Sequence, residues 1–144
     1  MGKEGPKSTK THIVAKARCV NGIVFDAGGL IALERDNRHV ATIVQTARRA
    51  GIPILVPATA LAQALRNPAR QVRLWRTLHF EETQVIPLDK LSARTVGELL
   101  ARTRTSDITD AHVVICAQQA DYTVITSDPS DIERLDPALA VIPV

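Results

Sequence analysis

Aromatic side chains are scarce in this 144-residue chain: Phe, Tyr and Trp together make up 3%. Any core must be built from Ala, Val, Ile and Leu, and a hydrophobic content of 45% is enough to fold one domain. The shortage also argues against binding single strands on a stacking platform, which needs exposed rings. Cysteine is limited to Cys19 and Cys116, so no disulfide framework is expected, and Cys116 lies in an apolar helical run as a reduced core residue. The four histidines, His12, His39, His79 and His112, have neither zinc-type spacing nor cysteine partners. No apolar run reaches membrane-spanning length and no secretory signal pattern is visible, so a cytoplasmic protein without membrane association is expected.

Charge of one sign is lacking too, once its position is considered. The net charge of +3 comes from residues 1–20, which hold five Lys/Arg and one acid, Glu4; the remainder has 13 basic and 14 acidic residues. Residues 1–20 are therefore expected to be a basic, flexible extension, and residues 21–144 the folded domain.

What is present is a series of short apolar runs alternating with helical patterns. Ile23–Asp26, Ile52–Val56, Gln84–Leu88, Tyr122–Thr126 and Leu139–Ile142 read as strands. A tight turn is expected at Ala27-Gly28-Gly29, before a helix through Leu30–Leu33. His39–Ala50 has helical spacing, with Gly51 as its C-cap. Thr59–Leu65 and Gln71–Leu78 are short helices, the first ended by Asn67-Pro68. Lys90–Thr103 is a helix with Leu91, Val96, Leu99 and Leu100 facing inward. Asp110–Ala120 is apolar nearly all round and should be buried. Strands separated by helices imply a parallel sheet with helices on both faces.

Four aspartates punctuate this pattern: Asp26, Asp107, Asp110 and Asp128. Each borders strongly apolar sequence. Asp26 and Asp128 fall at carboxyl ends of strands, where open parallel sheets gather ligands. Asp107 and Asp110 lie at the start of a helix, which faces the same edge. Carboxylates brought together repel unless a proton or a cation lies between them. The pattern suggests a hard-metal site, and hard metals held by carboxylates commonly serve phosphate chemistry. The Gly28-Gly29 turn would let backbone amides approach a phosphate. Each acid also has a plainer role. Asp26 could equally cap the next helix. Asp107 is read as the cap of the buried helix and Asp110 as a ligand. Asp131 is read as a cap or a supporting group. Arg48, Arg49, Arg66, Arg70, Arg73 and Arg76 are read as solvated faces, and Trp75 as core or dimer interface.

The segments IVFDAGGLIAL, VPATALAQALRN, DITDAHVVICAQQA and VITSDPSDIERL, in this order, resemble those of PIN-domain proteins, in particular VapC-type toxins of bacterial toxin–antitoxin pairs. The resemblance spans roughly residues 23–144. It implies a three-layer α/β/α fold around a central parallel sheet, and a Mg²⁺- or Mn²⁺-dependent endoribonuclease acting on RNA such as tRNA or rRNA. It also implies a homodimer held in check by a cognate VapB-like antitoxin. By position, Asp26, Asp110 and Asp128 match the family's first, third and fourth acids, with Asp131 a nearby alternative to the fourth. Thr126 matches the hydroxyl that often precedes the fourth. Gln63 stands where the family usually has Glu. It keeps a carbonyl oxygen but loses the charge, which weakens the site's pull on a cation. That departure keeps a second function open, a non-catalytic PIN-like module binding RNA or protein. A receiver- or phosphatase-like protein is a third reading; it would need a phosphorylatable Asp and Lys90, the single lysine of the body.

Overall fold

The computed structural model describes residues 20–144, so the expected basic extension lies almost wholly outside the described residues. Five strands and seven α-helices follow one another: β1 (Ile23–Phe25), α1 (Ala27–Glu34), α2 (Arg38–Ala50), β2 (Ile54–Pro57), α3 (Ala58–Ala64), α4 (Val72–Leu78), β3 (Thr83–Ile86), α5 (Lys90–Thr103), α6 (Ile108–Ala120), β4 (Thr123–Thr126), α7 (Pro129–Leu135) and β5 (Val141–Pro143), with a short 3-10 turn at Pro68–Arg70. The strands form one sheet in the order β3-β2-β1-β4-β5, with every pair parallel. Helices cover both faces, giving the three-layer α/β/α architecture the sequence led us to expect.

The three central strands are buried at every position, which is why they read as unbroken apolar runs. The first strand pairs with β2 on one side and β4 on the other, aligning Phe25 with Ile125. Residue 26 and residues 127–128 therefore leave the sheet side by side. The start of α1 lies against the end of β4. A Cβ on Gly29 would come 2.6 Å from the Ile125 carbonyl oxygen, and one on Gly28 would collide with the Ser127 side chain. The two glycines are thus part of the first turn of a helix rather than a separate tight turn, and they exist to let that helix approach the sheet.

Several boundaries move from the expected ones. The second strand begins at Ile54, because Ile52 closes the α2 C-cap by donating its N–H to Ala47. The edge strand β3 starts at Thr83 and ends at Ile86. Leu91 is 74% exposed rather than inward, since α5 buries Val96 and Leu99. Trp75 and Val72 are also exposed; α4 turns Leu74 and Thr77 inward instead. Cys116 is buried and unpaired, as expected. Arg66, Arg70 and Arg73 do not share a continuous helix, because the chain leaves α3 at Leu65 and resumes only at Val72.

Candidate functional site

Asp26 is the first residue beyond β1, and only 6% of it is exposed. Its backbone N–H continues the sheet by donating to Ile125 O at 3.2 Å. Its Oδ1 accepts from the Gly29 amide at 2.6 Å, capping α1. The buried Thr126 hydroxyl bonds to the same carboxyl group. Burial pushes the Asp26 carboxyl above its ordinary range; the bonds from Thr126 and Gly29 pull it down, and Asp128 and Asp131 push it up again. The plain and the chemical readings of Asp26 are therefore compatible. A carboxylate has about four lone-pair sites, and one cap bond leaves room for a ligand. The Gly29 amide, however, is spent on Asp26, which removes it from the expected phosphate cradle.

The α6 helix starts at Ile108, two residues earlier than expected, with Asp107 as its cap: Asp107 Oδ1 accepts from the Asp110 N–H at 2.9 Å. Asp110 then lies half-buried in the first turn. Its carboxyl is pushed up to about 6, first by burial and then by Asp107, Asp131, Asp26 and Asp128 in that order. One carboxyl thus feels every other acid of the predicted set, although these come from three separate stretches of chain. That is the convergence at the strand ends expected from topology.

Asp128 occupies the N-cap position of α7 but makes no side-chain cap bond. Its N–H donates to Thr126 Oγ1 at 2.9 Å, and its Oδ1 accepts from Ser130 Oγ at 2.7 Å. The Ser130 bond is the main reason this exposed carboxyl titrates below the usual range. Thr126 consequently ties the first acid to the fourth, accepting from one and bonding to the other. Asp131 follows in the first turn of α7, half-buried and facing the same group.

Gln63 is exposed on α3, the helix that follows β2 and packs against both α1 and α6. Its backbone carbonyl takes the Arg66 Nε–H at 2.9 Å. Deeper on the same helix, Thr59 Oγ1 meets His112 Nδ1 at 2.8 Å, so His112 joins α3 to α6 as a fully buried packing residue. Burial holds this imidazole below its ordinary range, which keeps it neutral.

A cleft of about 270 Å³ opens beside the acids, lined by Asp107, Asp110 and Asp131 together with Arg104 and Arg134. Neither arginine stood out in the sequence. Arg134 is three residues after Asp131, a spacing that places both on one helical face, whereas Arg104 has no local signal at all. Lys90 begins α5, is exposed and does not line the cleft, which removes the support for a receiver-like reading.

The donor set is all oxygen and mutually repulsive, which suits a hard divalent cation. Among the described residues no three His, Cys, Asp or Glu side chains close tightly enough to hold an ion by themselves. An ion here would have to keep several water ligands, as Mg²⁺ ordinarily does.

A family model described as PIN domain matches residues 23–136. Among solved structures, the chain is similar to VapBC2 from Rickettsia felis bound to a DNA fragment from its promoter, at 13% identity and a TM-score of 0.64, covering 84% of this chain and 97% of that one. It is also similar to FitAB bound to an IR36 DNA fragment, at 17% identity and a TM-score of 0.57, covering 84% and 94%. FitAcB from Neisseria gonorrhoeae gives 19% identity and a TM-score of 0.54, covering 83% and 96%. Identities this low speak to the fold alone. No curated protein matches the chain.

Proposed function

The chain belongs to the PIN-domain family, and from that premise we propose that it is a metal-dependent endoribonuclease of the VapC toxin type. The observation that carries the reading is Asp110: its carboxyl is driven up to about 6 by burial and by four other aspartates, a repulsion that a bound cation would relieve. Asp26, Asp110 and Asp128 would hold Mg²⁺ or Mn²⁺, with Asp107 and Asp131 supporting. When bound, such an ion supplies a water of lowered pKa and counter-charge for the scissile phosphate.

The chain's own groups set the rest. Gly29 and Thr126 fix the Asp26 carboxyl so that it does not reorient when substrate arrives. Asp107 spends its Oδ1 on the Asp110 N–H, which anchors the first turn of α6 and aims Asp110 at the cleft. Ser130 keeps Asp128 ionised. Gln63, at the position where the family usually has Glu, would offer only a neutral carbonyl where a carboxylate would strengthen the site.

The functional unit is residues 21–144. A VapBC2 assembly among the solved structures of like fold supports the VapC-type reading and a VapB-like antitoxin; a homodimer, a tRNA or rRNA substrate and a cytoplasmic location are the remaining parts of the proposal. Gln63 favours a second reading, a PIN-like module that binds RNA or protein without cutting.

Cleavage of total RNA in Mn²⁺ separates the two, comparing this chain, Gln63→Glu, and Asp26→Asn in the Gln63→Glu background. Cleavage by this chain supports the nuclease outright. Cleavage by Gln63→Glu alone makes the glutamine the lesion in an intact nuclease fold. Activity that survives Asp26→Asn, or no cleavage by any of the three, removes the nuclease reading in favour of the binding module.

A further inference from the structure

The two arginines that share the cleft with the acids have no part in the chemistry above. Arg104 is the C-cap residue of α5 and Arg134 lies in the last turn of α7. Both are exposed and line the same cleft as Asp107, Asp110 and Asp131. Opposite charges sharing a cleft would ordinarily pair. Among the described residues, however, the ion pairs are Arg48–Glu82, Arg73–Asp36 and Arg94–Glu98, and neither cleft arginine joins one.

The backbone adds a second, independent observation. Arg104 is held in the left-handed region, at φ 55° and ψ 42°. Its non-glycine companions in that region among the described residues are Asp36 and Asp121. Aspartate visits this region through local hydrogen bonding, whereas an arginine gains nothing from it. Glycine would end the helix at lower cost, as Gly51 does for α2. A side chain kept at a conformational cost points to a use for the side chain.

We propose that Arg104 and Arg134 together bind a backbone phosphate of the substrate RNA adjacent to the one that is cut. They act as positioning residues, and the inference rests on the RNA-nuclease reading. The site's carboxylates repel a polyanion. Two guanidinium groups in the same cleft offset that repulsion and set which phosphate comes to lie over the acids. The planar guanidinium fork matches two phosphate oxygens at once, which a lysine does not do. Thr105 and Ser106 line the same cleft and their hydroxyls add donors.

The test is fluorescence-anisotropy titration of a fluorescein-labelled RNA hairpin with single-stranded flanks. The Asp26→Asn chain serves as parent, so that substrate survives, and salt is varied. Arg104→Gly relieves the backbone while deleting the side chain, so it should melt no lower than the parent and yet bind about tenfold more weakly. Its plot of log K against log salt should be shallower by roughly 0.7–0.9, the signature of one lost phosphate contact and not of a structural change. Arg134→Lys keeps the charge and loses the fork, so it should weaken binding while retaining the slope. Unchanged affinity and slope in Arg104→Gly would overturn the proposal and leave the nuclease reading intact. The expected losses, found in a chain that cuts RNA neither as it stands nor as Gln63→Glu, would uphold the phosphate site and sink the nuclease reading. A parent that binds no RNA removes both.

Discussion

Replacing Asp110 by Asn should stabilise the metal-free fold at neutral pH while disabling the site. The wild-type carboxyl titrates at about 6 in the folded chain against 3.8 for the ordinary group. Below the lower value both folded and unfolded chains are protonated, and the acid costs nothing. Between the two values the folded chain holds a proton that the unfolded chain has lost, so stability falls as pH rises. Above the higher value the whole cost is present. A shift of two units corresponds to about 3 kcal/mol as a ceiling. Asp110 is only half-buried, and solvent screening reduces this to roughly 1 kcal/mol. Losing a negative charge from the first turn of α6 takes back a few tenths of a kcal/mol, about the weight of a helix-dipole contact. The net gain should appear as a rise in Tm of about 3 °C. The assay is thermal and urea unfolding in EDTA at about pH 8 and again at about pH 4, with the gain present at the first and absent at the second. An Asp110→Asn chain no more stable than the parent at the higher pH, or a gain that ignores pH, would refute the claim that burial and the neighbouring acids together penalise the Asp110 charge.

Two further perturbations follow from packing. Gly29→Ala drives a methyl group to 2.6 Å from the Ile125 carbonyl oxygen, a backbone atom that cannot step aside; urea unfolding should show a loss of about 1–3 kcal/mol. Gly97→Ala meets nothing within 4 Å inside exposed α5, and the same measurement should show a gain of about 0.5–1 kcal/mol. Thr126→Val removes the acceptor for the Asp128 amide and a bond to Asp26. It should cost about 1–3 kcal/mol in urea unfolding and raise the Asp26 pKa further, which carboxylate NMR would read.

The parts of the fold that were legible in the sequence are those whose chemistry is local. Strands buried on both faces leave unbroken apolar runs, and β1 and β4 were readable for that reason. The long α5 was readable in extent but not in face. Its buried Val96 and Leu99 share a helical stripe with the partly buried Ser92 and Thr103, and polar ends disguised the stripe and drew Leu91 into it wrongly. The same happened in α4, where Thr77 rather than Trp75 is buried. In the site, the aspartates announced themselves by interrupting apolar sequence. The dual role of Thr126 did not, because it depends on β1 and β4 being neighbours. Arg104 reaches the cleft only through the left-handed turn that ends α5, and nothing in the residues around it signals that turn.

The order of strands has a consequence for the moment of synthesis. Asp26 emerges from the ribosome early, followed by β2, β3 and six α-helices, but the strand that flanks β1 on its other side is β4. Until residues 123–128 are made and inserted between β1 and the solvent, Asp26 has no Thr126 to hold it and no Asp128 beside it. A partly translated chain therefore carries the first acids without the site. On the nuclease reading, a fragment released before β4 is made carries Asp26 without Thr126 or Asp128 and is inert.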